Sequence, residues 1–224
     1  MDFDKILAVA DYERPRTSEE LSEWWLEKHH LFAATKEGKI YCRNGRGLSK
    51  KFYEEAQPMR TFMNAYFAGS DMRCRLDAGT GAADAVLLDK NGSAAKQIQI
   101  TYAIDGYTEH LRMQQLTRAG SVDVLTRPII HGSGRSKAVV FPIGRYTAHN
   151  DTVSEMIQMI HDRIRNKSAK RYTPGFALLV AFSDRSLDAE DTCEFRKAFD
   201  VLKHSFAELF LIGIHGKILV PERQ

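Results

Sequence analysis

Three cysteines in 224 residues, Cys42, Cys74 and Cys193, are odd in number and far apart, which leaves neither a disulfide framework nor a CxxC zinc site. The eight histidines include no HxH or HExxH, so a zinc enzyme of that type is excluded as well. His29 and His30 are adjacent and face different ways on a helix, and His131 falls in a loop. Six prolines and 15 glycines exclude collagen-like or low-complexity chains. No apolar run approaches the ~18 residues of a membrane span. The opening MDFDKILAVADYERPR lacks a basic n-region and a long apolar stretch. The expectation is a soluble, unexported protein in a reducing cytoplasm, with no membrane partner. No repeat or linker breaks the chain, and at about 150 residues per domain the length predicts a helical N-terminal extension over 1–48 and a core over 49–224.

What is present is a globular balance of 43% hydrophobic and 27% charged residues, with 32 basic against 29 acidic side chains. The net charge of +3 permits an acidic partner without requiring one, so distribution has to decide. Acidic residues crowd the first sixty positions (Asp11, Glu13, Glu19, Glu20, Glu23, Glu27, Glu54, Glu55). Between 127 and 171 the balance reverses. Arg127, Arg135, Lys137, Arg145, Arg163, Arg165, Lys167, Lys170 and Arg171 face only Asp151, Glu155 and Asp162. Gathered on one side, these cations would neutralise phosphates. The plainer reading of the run from Arg163 to Arg171 is a helix C-terminus, where the macrodipole favours positive charge.

Periodicity supplies the elements. Thr17 or Ser18 caps a helix over 18–35, with Leu21, Trp24, Trp25, Leu31 and Phe32 at helical spacing. A glycine-rich spacer over 39–48 separates it from a second helix carrying Phe52, Glu55, Met59, Phe62 and Tyr66, which Pro58 kinks or restarts. From Met72 the period becomes two. Strands are predicted over 72–77, 83–89 and 96–103, the last two joined by Asn91-Gly92 as a two-residue type I′ turn. A helix over 107–117, a strand over 139–143, a helix capped by Asp151, a buried strand over 176–182, a helix over 187–204 and a strand over 209–214 complete the chain. The late strand-helix-strand order predicts a parallel crossover. The fold class is α/β (α+β): a mixed central sheet flanked by helices.

With Asn91 and Gly92 at the turn, paired positions sum to 183, so Asp84 lies opposite Gln99 with Gln97 as its diagonal neighbour, all three on one face. Ile98, Ile100 and Tyr102 take the other face. Asp is a poor strand former, so Asp84 before Ala85-Val86-Leu87-Leu88 needs a cation, a hydrogen-bonding partner or a strand end to account for it. Over roughly 49–214, the order of a helix with Glu55, a strand, a strand opened by Asp84, the Asn-Gly hairpin, a strand carrying Gln97-Ile98-Gln99, a helix and later crossover strands resembles the restriction-endonuclease-like, or PD-(D/E)XK, nuclease superfamily.

That resemblance implies a DNA-acting, Mg²⁺-dependent phosphodiesterase, or a degenerate relative that binds DNA without cutting it. It implies Asp84 as a metal ligand, Gln97 at the second-ligand position, Gln99 at the lysine position and Glu55 as the helix glutamate. The segment Gly81-Ala82-Ala83-Asp84 lacks the family's proline. Gln97 brings an oxygen but no charge, and Gln99 brings no cation. Lys96 points to the opposite face, and Arg112 or Lys90 could supply the missing charge. Replacing Gln97 by Glu and Gln99 by Lys would restore both features of the family pattern. DNA contacts are expected from Arg127, Arg135, Lys137, Arg145, Arg163, Lys167, Lys170 and Arg171.

Other readings stand beside these. Asp84 can cap a strand or pair with Arg73 or Arg75, Gln97 and Gln99 can form a solvated face, and Glu55 can border the core in a surface salt bridge. Glu109, His110 and Arg112 either line a cleft or form an exposed mixed-charge face. Gly79-Thr80-Gly81 precedes a strand, and His131-Gly132-Ser133-Gly134 lacks P-loop spacing, so both read as turns. The alternative function is a non-catalytic protein-interaction or assembly subunit, whose contact surface would be the acidic N-terminal helix with Trp24 and Trp25 if these are not in the core.

Overall fold

The computed structural model describes residues 2–79, 81–104, 106–120, 129–131, 138–140, 149–170, 175–185, 187–199, 204–217 and 219–221. The N-terminal part is helical: α1 (Val9–Tyr12), α2 (Ser18–Ala33), α3 (Lys36–Arg43), α4 (Ser49–Lys51), a π-helical turn (Phe52–Ala56) and α5 (Gln57–Phe67). Thr17 opens α2 with a reciprocal capping box. Its hydroxyl accepts from the Glu20 N–H at 3.3 Å, and the Glu20 carboxylate accepts from the Thr17 N–H at 2.9 Å. Thr17→Ala should therefore lower the melting temperature modestly, by roughly 2–4 °C for a loss of about 1 kcal/mol. An unchanged melting curve would show that Glu20 alone sustains the helix start.

Between Phe32 and Ser49 the sequence reading is corrected. The segment 39–48 is not simply a spacer, because α3 occupies its first half. Thr35 caps α3 by accepting from the Gly38 N–H at 3.0 Å, and Gly38 is buried against the Phe32 carbonyl where a Cβ would not fit. Glycine at 38 thus marks close approach, not a break. The π turn explains how the chain passes Pro58. Proline has no N–H to give the carbonyl four residues back, and its ring crowds that carbonyl. The chain widens just before it, with the Gln57 N–H bonding the Phe52 carbonyl.

The sheet has six strands in the order β1 (Arg73–Leu76), β2 (Ala85–Leu88), β3 (Ala94–Tyr102), β6 (Ala177–Phe182), β7 (Glu208–Gly213) and β8 (Leu219–Val220). β1, β2 and β3 are antiparallel neighbours, β3, β6 and β7 run parallel, and β8 returns antiparallel. A separate hairpin joins β4 (Ile129–His131) to β5 (Ala138–Val140). The remaining helices are α6 (Gly106–Ala119), α7 (His149–Ser168) and α8 (Ala189–Phe199). α7 begins two residues before Asp151, which therefore sits in the first turn and does not cap it. α8 starts two residues after the predicted 187 and 204 is not helical, while residues 200–203 of that helix and 141–143 of the predicted strand lie outside the described residues.

The architecture is mixed α/β, with helices on both faces of the sheet. On one face Trp24, Phe52, Met59 and Phe62 pack with Cys74, Leu76, Ala85, Leu87, Ile98 and Ile100. On the other, Val153, Ile160, Ile164 and Phe195 pack with Leu178, Val180 and Leu211. Alternation along each strand divides the two sets. Central β6 is buried at every position, as a parallel strand covered on both faces must be. Leu7, Tyr12, Leu21 and Trp25 share the first core with the sheet, so the residues before 48 pack into the same hydrophobic body. Both tryptophans are only 6% exposed, so they are core residues and not a contact surface.

The β2–β3 connection departs from the predicted turn yet reaches the predicted register. The loop has three residues, Lys90-Asn91-Gly92. The Asp89 carboxylate accepts from the N–H groups of Asn91 and Ser93 at 2.9 Å each, and Gly92 adopts φ +79°. Leu88 faces Ala94, one step out of the predicted pairing. A bulge between Leu87 and Leu88 then takes up one residue of β3, and Leu87↔Lys96, Val86↔Gln97 and Ala85↔Ile98 follow, each summing to 183. The longer loop and the bulge cancel.

Candidate functional site

Asp84 stands one residue before β2, where the ladder to β3 ends. Its own N–H donates to the Ile98 carbonyl at 3.0 Å, and its carboxylate Oδ2 accepts from the Ile100 N–H at 2.7 Å. The Ile100 N–H thus bonds a side chain instead of a β2 carbonyl. Two of the reasons sought for an aspartate here, a strand end and a hydrogen-bonding partner, are met. No ion pair to Arg73 or Arg75 forms among the described residues.

Beyond this position the residues singled out from sequence divide into two groups. Gln99 is buried at 5% exposure; its amide donates to the Ala82 carbonyl and its Oε1 accepts from the Lys167 ammonium at 2.9 Å. Gln97 shares that face by register but is exposed, in a small cleft of about 420 Å³ with Glu13, Arg75 and Asp77. Glu55 comes from the π turn, with its Oε2 buried, lacking a hydrogen-bond donor, and 3.8 Å from the Lys51 ammonium. Lys51 is fixed in turn by donating to the carbonyls of Asp77 and Gly79 at 3.0 and 2.7 Å.

Glu55, Asp84 and Lys167 lie within reach of one another's charge. Burial, and next the Asp84 carboxylate, push Glu55 up from 4.5 to about 8, against the downward pull of Lys51 and Lys167. Burial lowers Lys167, while Asp84 and Glu55 hold its proton in place and Lys170 opposes them. At neutral pH Glu55 is therefore mainly protonated unless a further positive charge arrives. Among the described residues no three His, Cys, Asp or Glu side chains gather as a metal cluster. The donor set is two carboxylates with a carboxamide and an ammonium beside them.

Compared with family models, curated proteins and solved structures, the chain matches none. The site is therefore read from its own geometry.

The cations named from sequence are placed unevenly. Arg163 turns inward to donate to the Ile104 carbonyl at 2.6 Å, Lys167 reaches Gln99, and Lys170 is exposed. Arg165 pairs with Asp162 at 3.2 Å. Arg127, Arg135, Lys137, Arg145 and Arg171 lie outside the described residues. Of the candidates for the missing lysine, Lys96 bonds Glu208 and stands over the Phe210 ring, Arg112 pairs with Glu109 at 2.8 Å, and Lys90 is exposed in the hairpin loop. Sequence reasoning counted Lys167 only as part of a basic surface. The overlooked signal is its spacing: three residues after Ile164 and seven after Ile160, it continues the buried stripe of α7.

Beside the acid pair lies a second feature, a cleft of about 780 Å³ between α2, α3, the π turn and α6. Glu109 and His110 line it, which favours the cleft reading over a purely solvated helix face. Tyr53 is half-buried there, its hydroxyl 3.0 Å from His29 Nδ1, and His29 stacks on Trp25 at 4.8 Å. Burial, with His30 and Arg60 nearby, lowers the His29 pKa and keeps the ring neutral at pH 7. Burial raises the Cys42 thiol to about 11, so it is a protonated, unreactive wall group.

Proposed function

We propose that this chain is a restriction-endonuclease-like, divalent-metal-dependent phosphodiesterase acting on DNA, with Lys167 of α7 serving as the cation that Gln99 cannot provide. The observation that carries this reading is the buried Glu55 carboxylate, subject to the charges of Asp84 and Lys167, with Lys167 held by Gln99 at 2.9 Å. Mg²⁺ sites need only one or two carboxylates, because water and substrate phosphates complete the shell. Glu55 and Asp84 meet that requirement, and the orphaned Glu55 Oε2 is a buried acceptor suited to a cation. Gln97, in the neighbouring cleft, is the weaker candidate ligand.

Mg²⁺ held by these carboxylates would supply Lewis-acid stabilisation of charge on a scissile phosphodiester. The protein's own groups have separate tasks. Gln99 accepts from Lys167 and so aims the ammonium. Lys167 donates to a phosphate oxygen and stabilises its growing negative charge in a site partly shielded from water. Asp84, tied to the Ile100 N–H, is a pre-oriented acceptor. This arrangement changes the expectation for restoring the family pattern. Lysine at 99 would remove the acceptor for Lys167 and set two ammonium groups together, so Gln97→Glu with Gln99→Lys should impair the site.

The test is nicking of supercoiled plasmid in Mg²⁺ or Mn²⁺. Parent protein should nick, Asp84→Ala should fall to the no-enzyme rate, and Lys167→Met should lose about 10²–10³-fold, the scale of one lost charge-stabilising donor. Nicking that survives Asp84→Ala, or none by folded parent protein in either metal, would defeat the enzymatic reading. DNA retention with a steep salt dependence but no cleavage would instead favour the degenerate binding relative.

A further inference from the structure

The 780 Å³ cleft falls within the roughly 300–1,000 Å³ of small-molecule sites. Its lining combines three kinds of group. The first is an aromatic ring, Tyr53, half-buried and held edge-on to Phe52 at 5.1 Å and by its contact with His29. Trp25 at 6.2 Å and Phe52 back this ring edge-on, so a planar ligand meets a preformed surface. The second is a cationic rim. Lys39 and Arg43 stand one turn apart on α3 and form no ion pair among the described residues. The third is a small set of polar groups, Glu109 and His110 among them, able to meet the edge of a heterocycle.

Continuity with the acid pair decides which ligand this fits. Glu54 lines the cleft, whereas the next residue, Glu55, belongs to the acid pair; Lys50 lines the cleft, whereas Lys51 forms an ion pair with Glu55 at 3.8 Å. α4 and the π turn therefore present Lys50, Tyr53 and Glu54 to the cleft and Lys51 and Glu55 to the acid pair. A ligand with an aromatic body, an anionic group and a phosphodiester continuing from it satisfies both.

We infer that the cleft seats one unstacked nucleotide of a single-stranded DNA segment, its base against Tyr53 and its phosphate at Lys39 and Arg43. Base stacking on aromatic side chains tolerates any sequence, because every base has a π face. A stacked duplex cannot enter a cleft of this size. The assignment rests on the phosphodiesterase reading for the direction of the strand, but binding in the cleft can be measured without cleavage.

The probe is 2′-deoxyadenosine 5′-monophosphate, titrated calorimetrically without metal beside inorganic phosphate and deoxyadenosine. The nucleotide should bind saturably and more tightly than either fragment. Lys39→Glu with Arg43→Glu should weaken it by about tenfold or more, since two attractions become repulsions. Ala33→Phe, which fills the cleft without changing charge, should weaken it as well. Absence of saturable nucleotide binding by folded protein, equal affinity for phosphate alone, or indifference to both variants would each overturn the assignment. Asp84→Ala should keep nucleotide binding while losing cleavage. Nucleotide binding in a parent protein that never nicks would refute the phosphodiesterase and retain the cleft, whereas single-strand cleavage that both cleft variants leave unchanged would do the reverse.

Discussion

Glu55→Gln should stabilise the metal-free protein increasingly as pH rises from about 4.5 to 8, and the gain should level off above that. The folded state holds the Glu55 proton until about pH 8, whereas the unfolded chain releases it near 4.5. Between those values the folded state binds more protons, so the parent loses stability as pH increases. At about 1.4 kcal/mol per pH unit the cumulative effect approaches roughly 5 kcal/mol, a ceiling because solvent still reaches part of the group. Its side chain is 16% exposed. Glutamine carries no proton to lose, and it gives Oε2 a neutral replacement. The check is a pair of denaturant-unfolding series from pH 4 to 9, with and without Mg²⁺. Divergence of the metal-free series is the expected result, together with Mg²⁺ recovering the parent's loss and leaving the variant unmoved. Parallel series would mean that Glu55 ionises normally and that its burial beside Asp84 has no energetic consequence.

The acid pair was legible from sequence in part, for reasons specific to each residue. Asp84 was legible because an aspartate ahead of Ala85-Val86-Leu87-Leu88 conflicts with strand propensity, and such conflicts need a local cause. The register that sets Ala85 opposite Ile98 is the one the hairpin predicts, although it is reached through a three-residue loop and a bulge and the ladder stops short of Asp84. Asn91-Gly92 fits a two-residue turn just as well, and what selected the longer loop is the Asp89 carboxylate bonding two N–H groups. Glu55 could be named as a helix glutamate, but its direction depends on the π turn, which Pro58 hints at and periodicity does not encode.

Lys167 was harder to see because a cation near a helix C-terminus has an ordinary explanation in the macrodipole. Only the tertiary placement of α7 turns that position toward Gln99. The cleft was the least legible feature. It depends on α3, whose Lys36-Glu37-Gly38-Lys39 reads as a break when glycine is counted only as a weak helix former. In the fold Gly38 is there for contact with Phe32, and Lys39 and Arg43 follow from the helix that contact permits.

Phe52→Ala should cost about 3–5 kcal/mol, the range for emptying a buried aromatic site. Phe52 is completely buried, and its ring lies 5.4 Å from Trp25 in a stack, 5.5 Å from Trp24 edge-on, and 6.0 Å from Phe32. Those three rings belong to α2, so Phe52 is the chief attachment of the π turn to that helix. Its own carbonyl accepts the π-type bond from Gln57. Truncation therefore empties the core at the point that aims Tyr53 toward the cleft and Glu55 toward Asp84. Phe52→Leu keeps most of the volume and should cost about 1–2 kcal/mol. Urea unfolding of both variants at pH 5, where Glu55 is protonated in the folded protein, separates packing from charge. The leucine variant should retain the parent's decline in stability toward pH 8 because the turn still buries Glu55. A cost below about 1 kcal/mol for the alanine variant would mean that α2 and the π turn are held together by something other than this ring.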